Sequence, residues 1–173
     1  MIDPVFVDTN VFIYARDAGE PAKQARAWEW LTSLWKENSG RTSVQVLSEF
    51  YVNVTRKLAD PLTPAVAWRE VESLLAWQPQ SVDAALLSRA RKVEQRWRLS
   101  WWDAMIVAAA QLQDCALLLT EDLQDGAVFG GVTARNPFNT GVQEAVELYE
   151  VKRATVMRHR PRGRPRKRAV TTV

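Results

Sequence analysis

From Ala116 to Thr120 the chain reads Ala-Leu-Leu-Leu-Thr, a strand-length run with no polar residue alternating into it. A strand with one wet face alternates apolar and polar side chains. A run without alternation suits a strand covered on both faces, the usual state of a central strand in a parallel sheet. Val5-Phe6-Val7 is a second β-branched and aromatic run, ending at Asp8. Arg41-Thr42-Ser43 closes a third short strand, and Val132-Thr133-Ala134, stopped by Asn136-Pro137, reads as a last edge strand.

Helical segments lie between these runs. Pro21 suits a first helical turn, and Trp28, Leu31 and Trp35 then recur at helical spacing. Thr42 and Gln45 have capping-box spacing, so a helix is expected from there to about Leu58. Thr63-Pro64 opens another, carrying Trp68, Val71, Leu74 and Leu75. A further helix from Asp83 to Arg98 is expected to bury Leu86, Leu87, Ala90, Val93 and Trp97. Ser100 caps one from Trp101 to Gln113. Strands alternating with helices predict an α/β fold, a parallel β-sheet flanked by helices on both faces. The expected organisation is a domain over 1–140, an extra helix over 141–157, and a disordered basic tail over 158–173, where proline, glycine and arginine leave nothing to build a core.

In an open parallel sheet, ligands collect outside the carboxyl ends of the strands. Asp8 and Asp122 each lie just past such an end. Asp103 lies in the first turn of a helix aimed at the same edge, and Glu49 on the helix that follows the Arg41-Thr42-Ser43 strand. Each also has a purely structural reading. Asp8-Thr9-Asn10 is turn chemistry, Glu49 suits a solvated helix face, Asp103 completes a capping box with Ser100, and Asp122 caps a turn. Together, four carboxylates converging on one cleft cannot stay ionised and dry without cations. Oxygen ligands select Mg2+, with Mn2+ able to substitute, over zinc. A metal in such a cluster would activate water against a phosphodiester. No histidine base is needed, and the chain's one histidine, His159, lies in the tail.

Charge points to the same class of substrate. Up to Val151 there are 14 basic residues against all 20 acidic ones, and nine basic residues with no acid follow. An acidic body with a basic tail suggests a polyanion partner. One cysteine, Cys115, builds no internal disulfide and suits a reducing compartment. No stretch has the length of a membrane span, and Met1-Ile2-Asp3-Pro4 lacks the start of a signal peptide, so a cytoplasmic protein without membrane association is expected.

The residues themselves resemble a known family. Phe6-Val7-Asp8-Thr9-Asn10-Val11-Phe12 is similar to the first motif of PIN-domain nucleases, in particular the VapC-like toxins of type II toxin–antitoxin pairs. Ser48-Glu49-Phe50 resembles their second motif, Ser100 to Ile106 with Trp102-Asp103-Ala104 their third, and Leu119 to Gly126 their fourth. Asn136-Pro137-Phe138 is similar to the usual end of the domain. The resemblance implies that Asp8, Glu49, Asp103 and Asp122 are the catalytic, metal-binding acids, oriented by Thr9, Asn10 and Thr120, with Asp125 a further candidate. It implies a Mg2+-dependent endoribonuclease that leaves 5′-phosphate and 3′-hydroxyl ends, works as a homodimer on an RNA substrate, and is held inactive by a cognate antitoxin protein.

The chain departs from that pattern by continuing 35 residues beyond Phe138. Within this extension Pro161-Arg162-Gly163-Arg164-Pro165 resembles the core of an AT-hook, and Arg160, Arg162, Gly163, Arg164, Arg166, Lys167 and Arg168 are the expected nucleic-acid contacts. Proline keeps such a segment extended, glycine lets it reach the groove floor, and arginines favour the narrow minor groove of A·T-rich DNA. A generic polycation gripping any phosphate backbone is the other reading. Trp28, Trp35, Trp68 and Trp97 are expected to pack in the core, and Trp101 and Trp102 either to pack or to stack on an RNA base. Two rival functions stand beside the ribonuclease: a DNA-directed or structure-specific nuclease, and a non-catalytic nucleic-acid-binding module acting through the tail.

Overall fold

In a computed structural model of the chain, residues 3–139, 141, 142 and 144 are described. The chain divides into two units, 1–142 and 143–173. The expected helix over 141–157 and the AT-hook-like residues Arg160 to Arg168 lie, all but the first few, outside the described residues.

The first unit is built on a five-stranded sheet. Its strands are β1 (Val5–Val7), β2 (Gly40–Arg41), β3 (Leu117–Leu119), β4 (Val128–Phe129) and β5 (Val132–Arg135), in the order β2-β1-β3-β5-β4. All neighbours are parallel except β4 and β5. Every residue of β1 and β3 is buried, as strands covered on both faces must be. Val132-Thr133-Ala134 is not the edge strand expected. As part of β5 it lies between β3 and β4, and the antiparallel β4 takes the edge. Gly130, at φ +69, makes the two-residue turn between them, a backbone region open to glycine at little cost.

The helices are α1 (Thr9–Tyr14), α2 (Pro21–Glu37), α3 (Val44–Arg56), α4 (Pro64–Leu74), α5 (Ala84–Trp97) and α6 (Trp101–Leu112), with a single 3₁₀ turn at Leu75–Trp77. Thr63, Asp83 and Ser100 each accept a backbone N–H of the first turn that follows, as N-caps do. The cap of α3 is Ser43, accepting from Val46, and not Thr42. Thr42 is buried, and its hydroxyl donates to the Val7 carbonyl at 3.3 Å, tying β2 to β1. Helix α6 is buried from Ala104 to Ala110 without a break, so it packs on all sides.

The tryptophans divide differently from the expectation. Trp30 and Trp77 are the fully buried ones, and the Trp30 indole donates to the Pro137 carbonyl at 3.3 Å. Trp28, Trp35, Trp68 and Trp102 are exposed, as are Leu75 and Leu87. On α2 the buried stripe is Ala27, Trp30, Leu31 and Leu34, about one residue round from the stripe headed by Trp28. Both stripes have helical spacing, and tertiary packing chose between them. Among the described residues no helix is long and apolar enough to cross a membrane.

Candidate active site

The sheet register assembles the site. Val7 pairs with Leu119, so the next residues along each strand, Asp8 and Thr120, emerge side by side at the carboxyl edge. The Asp8 amide donates to the Leu119 carbonyl at 3.0 Å, and the Thr120 hydroxyl donates to Asp8 Oδ2 at 2.7 Å. Asp8 is also the N-cap of α1, its Oδ1 accepting from the Thr9 amide at 2.7 Å. The first turn of α1 therefore starts inside the site and presents Thr9 and Asn10 to it.

Those two residues join Asp8 to the other acids. Thr9 Oγ1 donates to Glu49 Oε2 at 2.9 Å, and Gln45, one turn earlier on α3, donates to Glu49 Oε1 at 3.0 Å. Asn10 Nδ2 donates to Asp122 Oδ2 at 3.1 Å and lies 3.4 Å from Thr120 Oγ1 and 3.5 Å from Asp8 Oδ2. Thr120 Oγ1 in turn accepts from the Asp122 amide at 3.1 Å. Asp8, Glu49 and Asp122 are thus brought into one network by Thr9, Asn10 and Thr120.

Asp103 stands outside that network. It occupies the first turn of α6, where its amide donates to the Ser100 hydroxyl at 3.2 Å and its Oδ2 accepts from the same hydroxyl at 2.6 Å. Helix α6 hands its C-terminal end to the amino end of β3, so its first turn lies towards the carboxyl edge. Asp125 is placed elsewhere. Its carboxylate accepts from the Asn136 amide at 3.0 Å and faces Arg135 at 3.4 Å, bracing the end of β5.

The electrostatics single out Asp8. Burial pushes its carboxyl up to about 6, opposed by the bonds from Thr120 and Thr9 and reinforced by the charges of Asp122 and Glu49. A buried carboxylate that accepts two short hydrogen bonds yet still resists ionising lacks positive charge nearby. Among the described residues no three Asp, Glu, His or Cys side chains stand close enough to grip a metal ion as placed. In the network Thr9 lies between Asp8 and Glu49, and the Asn10 amide between Asp8 and Asp122. The donor chemistry nonetheless suits a hard cation, being all oxygen and rich in carboxylate. Asn10 Oδ1, at the centre, is buried with no hydrogen-bond partner.

Reasoning from the sequence alone missed Gln45, which fixes Glu49, and Lys23, Tyr14 and Glu121, which form a cluster beside Asp122. Gln45 was legible as the residue one helical turn before Glu49. Nothing local in the sequence links Lys23 to Glu121.

Comparison with known proteins agrees with the geometry. No curated protein sequence matches significantly. Among solved structures the fold is similar to that of VapC20 from Mycobacterium tuberculosis, described as a sarcin-ricin loop cleaving toxin. The likeness has a TM-score of 0.55 at 24% identity and covers 75% of this chain and 98% of that one. The PIN domain matches residues 5–124, the span that runs from the first residue of β1 past Asp122. With that span reaching from end to end of the acidic network, the chain belongs to the PIN-domain family.

Proposed function

We propose that the chain is a metal-dependent endoribonuclease, the toxin of a toxin–antitoxin pair. The observation that carries this reading is the buried Asp8 carboxyl joined to Glu49 and Asp122 through Thr9, Asn10 and Thr120 at the carboxyl edge of a parallel sheet, where burial pushes it up to about 6. Capping α1 does not by itself call for a carboxyl buried beside two others, an arrangement that disfavours the folded state at neutral pH. Family membership and the fold shared with a toxin that cleaves RNA support the same reading.

Asp8, Glu49 and Asp122 would hold Mg2+ or Mn2+, with Asp103 completing the set from α6. The cation would supply Lewis acidity towards a phosphodiester and lower the pKa of water. Thr9, Asn10 and Thr120 orient the carboxylates: the Thr9 hydroxyl bonds Glu49, the Asn10 amide bonds Asp122 on one oxygen, and the Thr120 hydroxyl bonds Asp8. Ser100 does the same for Asp103. The protein partners in this reading are a cognate antitoxin and a second copy of the chain. The basic tail adds affinity for nucleic acid, in the minor groove of A·T-rich DNA or on any phosphate backbone.

The test is incubation of purified, antitoxin-free full chain with structured RNA and with DNA, followed by analysis of the product ends. RNA fragments with 5′-phosphate and 3′-hydroxyl ends are expected. Cutting confined to DNA would favour a DNA-directed nuclease, and no cutting of either would favour a binding module led by the tail.

A further inference from the structure

Residues 120 to 122 send three consecutive side chains to three anchors. Thr120 goes to Asp8, Asp122 to Asn10, and Glu121 to Lys23, whose Nζ lies 2.6 Å from Glu121 Oε2. Lys23 is not a casual surface partner. Its Nζ also donates to the Tyr14 hydroxyl at 2.9 Å, and it sits 4.1 Å from the centre of the Tyr14 ring and 5.1 Å from that of Phe138. Phe138 packs edge-on against Tyr14 at 5.0 Å, which closes the box around the ammonium. The hydrogen bonds from Glu121 and Tyr14 hold that ammonium well above the ordinary lysine range.

Asn10 and Tyr14 are one turn apart on α1 and so share a face. That face clasps the Glu121-Asp122 dipeptide at two points, directly through Asn10 and through Lys23 from Tyr14. Asp122 itself is exposed, and among the described residues its side chain is bonded by Asn10 alone, at 3.1 Å. Its amide is held by the Thr120 hydroxyl at 3.1 Å, and the next anchor along the chain is the Glu121 side chain on Lys23.

We propose that Lys23 is a positioning residue for the cation site, fixing Asp122 by clamping the adjacent Glu121 against Tyr14 of α1. This rests on the reading of Asp8, Glu49 and Asp122 as cation ligands. It makes a prediction opposite in sign to simple electrostatics. Removing a positive charge, and releasing the Glu121 carboxylate, would by Coulomb attraction alone tighten the binding of a cation. Loss of positioning loosens it.

The experiment measures Mn2+ binding to the full chain from the loss of the free-ion electron paramagnetic resonance signal, for wild type, Lys23→Met, Lys23→Arg and Tyr14→Phe. Arg91→Met, which breaks an exposed ion pair on α5, is the control. Lys23→Met is expected to weaken Mn2+ binding about tenfold or more, in the range typical of residues that orient metal ligands. Lys23→Arg recovers part of the loss, and Arg91→Met has no effect. Tyr14→Phe changes no charge and little shape, and shows a smaller loss in the same direction. RNA cleavage by Lys23→Met recovers towards the wild-type rate at saturating Mn2+. Unchanged or tighter Mn2+ binding by folded Lys23→Met overturns the proposal. Should that variant not fold, unchanged binding by Tyr14→Phe overturns it. A wild-type chain that binds no Mn2+ removes the underlying cation site, a failure distinguishable from the others because no variant is needed to see it.

Discussion

Asp8 is where structure and function pull apart most clearly. In the unfolded chain its carboxyl ionises near 3.8, and in the folded protein near 6. Between those values the folded state holds the proton more often, so folding stability falls as pH rises through this window and stays reduced above it. Asp8→Asn is therefore expected to stabilise the cation-free protein by roughly 1–3 kcal/mol near neutrality and above, and to change little below the ordinary carboxylate range. Urea unfolding in the presence of a chelator, at mildly alkaline and at acid pH, checks this. Equal stability of the two proteins at alkaline pH would mean that burial is not disfavouring the charge. Asp8, Asp103 and Asp122 stood out as candidates in the sequence because each sits at an element boundary that parallel-sheet topology sends to one edge, whereas Glu49, in the middle of α3, rested on the resemblance. The separation of the four was not legible. That Asn10 lies between Asp8 and Asp122 while the Asp103 carboxylate, among the described residues, bonds to Ser100 alone depends on side-chain rotamers no spacing rule carries. Asp125 was only a further candidate from the resemblance, and the turn after Asp122 carries it to Arg135 and Asn136.

Among the elements, caps and strands were easier to read than faces. Thr63, Asp83 and Ser100 act locally, through hydrogen bonds three residues away, and local chemistry places them. Thr42 failed as a cap because a partner remote in sequence, the Val7 carbonyl, claims its hydroxyl. Helix α1 was not anticipated: six residues are too few to show a period, and Asp8-Thr9-Asn10 disguises its start as a turn. Ser100→Ala is expected to destabilise the fold by about 1 kcal/mol through removal of the cap. It also frees the Asp103 carboxylate, so cleavage falls by more than that drop in stability explains at temperatures where the variant stays folded. Thermal unfolding beside RNA-cleavage rates separates the two effects. Gly40 in β2 carries a different constraint. A Cβ there would lie 2.5 Å from the ring of Trp77, which is only 2% exposed and packs against Phe12 and Trp35. Gly40→Ala should cost about 1–3 kcal/mol by overpacking, read as a lower urea midpoint at unchanged slope. An unchanged midpoint would show that Trp77 can move aside.

At the scale of the whole molecule, the doubly buried run Leu117–Leu119 settled the fold class, since a central parallel strand needs helices on both faces. The strand order was less accessible, because β4 is only two residues long and becomes a strand by pairing with β5. The division of charge between body and tail is a property of the sequence alone. If the tail grips phosphates, the full chain with Arg162 and Arg164 replaced by Ala binds nucleic acid more weakly, and its salt dependence flattens by up to about 0.9 in log–log slope for each phosphate no longer neutralised. Salt titrations on A·T-rich DNA, G·C-rich DNA and RNA separate the two modes: a minor-groove reader prefers the first, and a polycation treats all three alike. The central claim is tested most directly by RNA cleavage with purified full chain in Mg2+, compared with the same reaction in chelator and with Asp8→Asn and Asp122→Asn in Mg2+. Cutting by the wild type that disappears in chelator and in both variants is the result expected of an acid cluster that holds a catalytic cation. Cutting that persists in chelator, or in folded variants lacking either carboxylate, would contradict it.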